Sequence, residues 1–170
     1  MNVHQTSTLA PARDTSQPAG LSRRVIQRLL RGPGILTSPA ARWAVTVLAV
    51  LGAGLAVWSG VIHLQLWSQG YRDISVIGPL FLIQGIASIA LALAVVVFRR
   101  VYLLAAEAAL LVGTGVGLLL SATVGLFGYQ ESLAISDAKT SLMVEFIGAA
   151  LLAGAAAVLA AYRQPRPARP

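Results

Sequence analysis

The chain contains no cysteine, one lysine and two histidines in 170 residues. The missing cysteine excludes disulfides, thiolate metal sites, iron–sulfur clusters, CxxC redox chemistry and cysteine nucleophiles together. Charge is scarce as well. Charged residues make up 11% of the chain, against roughly 25% in ordinary soluble domains. A water-facing surface of normal polarity cannot be built from that supply, so the composition argues against a soluble enzyme. What fills the chain instead is apolar: 56% of residues are hydrophobic and the mean hydropathy is +0.75.

The net charge of +7 comes from 13 basic residues that lie almost entirely between or outside the apolar runs. A nucleic-acid binder would gather them on one folded face with aromatics between them, so a nucleic-acid partner is not expected. Residues 1–20 are polar, rich in Ser, Thr, Pro and Ala, and carry no apolar period, which reads as a disordered tail. Residues 21–31 (LSRRVIQRLLR) place Leu21, Val25, Leu29 and Leu30 near one helical face and Arg24, Gln27, Arg28 and Arg31 on the other. With Arg23, these arginines form a cationic amphipathic helix suited to an anionic membrane surface, or to a docked protein partner. Gly32, Pro33, Gly34 and Pro39 then break the helix.

Four apolar runs follow, over 43–66, 76–98, 101–127 and 142–162. Each reaches about 20 residues, the length that crosses a ~30 Å hydrocarbon core as a helix. The runs do not alternate, as barrel strands would, and backbone amides in lipid must bond within their own segment. The expected fold is an all-α, antiparallel up-and-down four-helix membrane bundle over 43–162, with the basic amphipathic helix before it and a basic tail, 163–170, after it.

Eleven basic residues fall on one side of this bundle, and only Arg72 and Lys139 on the other. The positive-inside rule then places both termini in the cytoplasm of a cytoplasmic-membrane protein, and the loops 67–75 and 128–141 outside. A cysteine at Ser68 should react with an impermeant maleimide on intact cells, and one at Ser38 only after permeabilisation. The reverse pattern would overturn this orientation.

Lipid tails do not drive helices together as water does, so small residues that permit close approach mark packing faces. The third run carries Ala105, Ala109, Gly113, Gly117, Ser121 and Gly125 at steps of four, and the fourth carries Ala149, Ala153, Ala157 and Ala161. These ridges predict that the third and fourth spans pack on each other. Alternatively, one ridge faces a second copy or a larger membrane complex.

A charged group inside lipid costs at least about 2–3 kcal/mol, so Glu107 and Glu145 are candidates for function. Glu107 shares a face with Thr114 and Ser121. It belongs either to a proton or cation path or to a structural role, paired with an arginine such as Arg99, Arg100 or Arg42, or protonated and hydrogen-bonded. His63 and Glu145 lie at similar depth on the outer side, Gln84 lies about two turns into the second span, and the three are expected to form an outward-facing polar pocket capped by Tyr71, Arg72 and Asp73. The bland alternative is a hydrogen-bond cluster that fixes helix order. Bis-histidine haem ligation needs a second histidine in the bundle, and His4 is in the tail. One histidine and one carboxylate do not make a zinc site, so no cofactor or metal is expected. GTGVG in the third run reads as packing, because no strand precedes it. Trp43, Trp67, Tyr71, Tyr129 and Tyr162 fall near span ends, as an aromatic belt does, while Trp58 is deeper and is expected to pack.

The stretch from His63 to Gln84, HLQLWSQGYRDISVIGPLFLIQ, resembles a set of small four-span membrane proteins of actinobacteria with an HLxLW end to the first span, a GYRxI loop and an IGPLFLxQ start to the second. GLFGYQE, from Gly125 to Glu131, and Glu145 are similar as well. The resemblance covers about 43–160. It implies the four-span topology and an actinobacterial source, but no activity. It also draws attention to Gly70, Tyr71, Arg72 and the Gly78–Pro79 helix start. The leading functional expectation is a non-enzymatic accessory or structural protein of the cytoplasmic membrane, held by helix packing in a homo-oligomer or larger complex. The alternatives are a small-solute or proton-coupled carrier using Glu107 and Glu145, or a lipid- or quinone-binding protein.

Overall fold

Four helices carry the chain back and forth: α1 Pro39–Ser68, α2 Ile77–Phe98, α3 Val101–Thr123 and α4 Ser136–Ala161. This computed structural model describes residues 35–36, 38–132 and 136–164. The disordered tail 1–20, the basic amphipathic helix with Arg23, Arg24, Arg28 and Arg31, and the last six residues of the basic tail lie outside that set. All four helices are long and apolar enough to cross a membrane, and they pack as the expected all-α bundle of a multi-pass membrane protein. The short strands β1 Ile35–Leu36 and β2 Arg163–Gln164 pair antiparallel, tying the entry of α1 to the exit of α4. The bundle end that carries this pair and the α2–α3 turn is here termed proximal; the end with the other two loops is distal.

Three helix ends differ from the expected bounds by four residues or more. α1 begins at Pro39 rather than 43, because Ser38 Oγ accepts a hydrogen bond from Ala41 N at 3.4 Å and Pro39 occupies the first turn. Pro39 therefore starts a helix instead of breaking one. α3 stops at Thr123 rather than 127, since Gly125, Phe127 and Gly128 have φ of 79°, 52° and 78° and Leu126 bridges Tyr129. Positive φ at a non-glycine residue cannot continue a right-handed helix, so Gly125 belongs to a turn and not to a helix ridge. α4 begins at Ser136 rather than 142. Its extra turns bring Ser141 inward, one turn before Glu145.

Backbone proximity sets the helix order. α1 is the central helix, packed against α4 on one side and α2 on the other, and α3 packs on α4. Gly52 faces Gly148 and Leu152 of α4: a Cβ there would lie 2.7 Å from Leu152 Cγ and 3.3 Å from Gly148 O. Gly60 and Gly85 face each other across α1 and α2, each Cβ position falling about 3 Å from the other's carbonyl oxygen. The apolar core runs along the proximal half, through Val45, Ala49, Ala92, Val95, Leu104 and Leu152.

α3 and α4 pack on each other as predicted, but not through their small-residue ridges. Leu111 lies against Gly148 of α4, and Gly115 against Phe146 and Glu145. Gly113 and Gly117 face open space, with nothing within 4 Å of a Cβ. On α4 only Ala149 of its ridge is buried; Ala153, Ala157 and Ala161 are exposed. Trp58 does not pack either: it is 55% exposed on α1.

Candidate functional site

Polar side chains that enter the bundle find partners on their own or a neighbouring helix, because hydrocarbon offers none. Ser59 of α1 and Ser141 of α4 both hydrogen-bond Glu145 Oε1, at 3.3 and 2.9 Å. His63 Nε2 lies 3.8 Å from the same oxygen. The other ring nitrogen, His63 Nδ1, is 2.9 Å from the Ser59 carbonyl, which can only accept, so Nδ1 carries a proton. Nε2 then faces Glu145 as an acceptor in the neutral ring and a donor in the charged one.

Glu107 forms a separate site. Ser88 Oγ of α2 lies 2.6 Å from Glu107 Oε1 and 3.0 Å from the Ala56 carbonyl of α1. A hydroxyl has one proton to give, so both contacts are hydrogen bonds at once only when the carboxyl of Glu107 supplies the second. Glu107 is fully buried and among the described residues meets no arginine, which corrects the expected pairing with Arg99, Arg100 or Arg42. Arg99 instead donates to Thr46 Oγ1 at 3.2 Å.

α2 and α3 meet at Ser88 and Glu107 and then part, leaving a cleft of about 460 Å³ in the distal half. Its α3 wall runs from Ala109 through Gly113 and Gly117 to Ser121. At 1.5 Å per residue that is about 18 Å. The missing side chains at Gly113 and Gly117 make the room. The opposite wall is Ile77, Leu80, Phe81, Ile83 and Gln84, with His63 at the back. Leu80 and Ile83 at the rim are 44% and 62% exposed, so the cleft opens sideways towards the surface that faces lipid.

The distal end is closed by a small network. Tyr129 Oη donates to Tyr71 Oη at 3.1 Å, and Tyr71 Oη donates to Glu131 Oε2 at 2.7 Å. Phe81 stacks on Tyr71 at 4.8 Å and tilts against His63 at 4.9 Å. Desolvation, then the hydrogen bonds to Tyr129 and Glu131 and the Glu131 charge, hold the Tyr71 phenol above its ordinary range and keep it a donor. Gly78 permits this cap, because a Cβ there would lie 2.6 Å from the Arg72 carbonyl oxygen.

The structure thus brings His63 and Glu145 together and puts Gln84 and Tyr71 on the same cleft. Arg72 and Asp73 are not part of the cap: they are 59% and 79% exposed and pair with each other at 3.7 Å. Glu145 lies behind His63 and Ser141 rather than on the cleft wall. Thr114 and Ser121 line the cleft, whereas Glu107 does not, so the three do not form one path. Glu131 and the pairing role of Tyr71 and Tyr129 were missed, since aromatics near span ends read first as a belt. Their one signal was the adjacent acid in Gly128–Tyr129–Gln130–Glu131.

One polar group on the cleft wall is left over. Gln84 is 7% exposed and its Nε2 has no hydrogen-bond partner. Among the described residues no group of His, Cys, Asp and Glu could hold a metal ion. Compared with family models, curated proteins and solved structures, the chain gives no match.

Proposed function

We propose that this small integral membrane protein binds a lipid-soluble amphiphile, which enters the α2–α3 cleft sideways from the bilayer. The observation that carries this reading is the unpaired, buried amide of Gln84 on the wall of an otherwise apolar cleft. A buried donor without a partner costs about 1–3 kcal/mol, and a bound polar head would recover it. Ligand sites commonly combine apolar walls with a few placed polar groups, in volumes of roughly 300–1,000 Å³. In the orientation favoured by the arginines, the cleft faces the outer leaflet. The accessory or oligomeric reading stands second: the α3 ridge is the cleft wall, whereas Ala153, Ala157 and Ala161 of the α4 ridge are exposed and open to a second copy or a larger complex.

Filling the cleft tests the proposal. In the double variant Gly113→Leu, Gly117→Leu each new Cβ meets no atom within 4 Å. Removing two mid-helix glycines favours the helix by about 1 kcal/mol each. Native mass spectrometry of protein extracted in polymer-bounded nanodiscs should show a specific small amphiphile on the parent protein. The filled variant should lose it at least tenfold, with an unchanged or higher unfolding midpoint. Equal amphiphile content in parent and variant would overturn the reading.

A further inference from the structure

The polar inventory of the cleft is selective, and from it we infer that the ligand's head is uncharged and presents a carbonyl or hydroxyl oxygen to Gln84, so that phosphate and carboxylate heads are rejected. This rests on the binding role proposed above. The free group, Gln84 Nε2, is a donor, so its partner must be an acceptor oxygen. The hydroxyls nearby are already committed as donors: Thr114 to the Leu110 carbonyl at 2.8 Å and Ser121 to the Tyr129 carbonyl at 3.4 Å. What they still offer is lone pairs, which a head hydroxyl can use.

Charge decides the rest. Among the described residues no lysine or arginine lines the cleft, while Glu131 stands at its distal end and Glu145 lies just behind His63. An anionic head would be desolvated with no lysine or arginine beside it and close to the Glu131 carboxylate, which a bilayer surface does not require of it. A quaternary ammonium head has no acceptor for Gln84. Glu131 Oε2 accepts the Tyr71 hydroxyl at 2.7 Å but keeps its charge, so the exclusion of this head rests on Gln84. The volume of about 460 Å³ suits one ring or one chain segment under a compact head.

Five photoactivatable probes with the same twelve-carbon diazirine chain separate the possibilities in proteoliposomes. Their heads are a glycerol ester, a benzoquinone, a carboxylate, a phosphate and a trimethylammonium group. Peptide mapping should place adducts of one or both neutral probes on the cleft faces of α2 and α3, at least tenfold above the charged probes; which of the two labels more identifies the head chemistry. Gln84→Leu should lower the neutral labelling about tenfold. The fold should survive this change, because the amide nitrogen it removes has no partner. Charged probes labelling as well as neutral ones, or a Gln84→Leu variant labelling like the parent, would overturn the head assignment while leaving the cleft a binding site. No labelling of the cleft by any probe would overturn the binding role, and the head assignment with it.

Discussion

Glu145→Ala should lower the stability of the bundle by about 3 kcal/mol, read as the shift in the SDS-unfolding midpoint in mixed micelles. The change strands the hydroxyls of Ser59 and Ser141 and leaves the Nε2 face of His63 without its neighbour, all within the bundle. Of the two serine bonds only Ser59–Glu145 joins two helices, and such a bond in a membrane protein is worth about 0.6 kcal/mol on average and up to about 1.7. The truncated side chain adds a void between α1, α3 and α4, where Glu145 Oε2 lies close to Gly115. Glu145→Gln keeps the volume and an acceptor oxygen, so its loss should stay near 1 kcal/mol. A cycle with His63→Ala should be non-additive, since the two side chains approach to 3.8 Å. A fully additive cycle, or an alanine variant as stable as the parent, would mean that this cluster does not hold α1 to α4.

The second large effect belongs to a glycine. Gly60→Ala should destabilise by about 2 kcal/mol, because its Cβ would come 2.9 Å from the Gly85 carbonyl oxygen and 2.8 Å from Ile89 Cγ1. A side chain can rotate away, but the backbone of α2 can yield only by moving the helix. Gly54, less than two turns earlier on α1, has nothing within 4 Å of its Cβ position. Gly54→Ala should therefore be neutral or stabilising by up to about 1 kcal/mol, as for any exposed mid-helix glycine. The same substitution on one helix is thus expected to act with opposite sign. Equal midpoints for the two variants would show that α1 and α2 do not approach as described.

These two sites also show where the sequence could be read and where it could not. Run length alone announced four spans, because an apolar stretch of that length has few other uses. The helix faces were hidden. A soluble helix separates its buried side from its wet side by polarity, but here both sides are apolar and the 3.6-residue period carries little contrast. Isolated glycines such as Gly60 and Gly85 looked like background beside the regular ridge of α3. That ridge was ambiguous in a physical sense: a missing side chain yields close contact when another backbone approaches and empty space when none does, and Gly113 is the second case. His63, Gln84, Glu107 and Glu145 stood out because any polar atom in lipid demands a reason. Their partners did not stand out. Serines at Ser59, Ser88 and Ser141 are common in membrane helices, and an arginine was the more obvious mate for Glu107.

The turn at Arg99–Arg100 joins two helices that share little surface beyond the Ser88–Glu107 contact, while the largest interface in the bundle, α1 on α4, joins the first helix to the last. Covalent order and packing order therefore disagree. A chain cut between Arg99 and Arg100 would consist of two helical hairpins, each holding one half of that interface and kept together by it. The division severs one peptide bond and no extensive helix contact, so the bundle is in effect a heterodimer of hairpins that happens to be encoded as a single polypeptide.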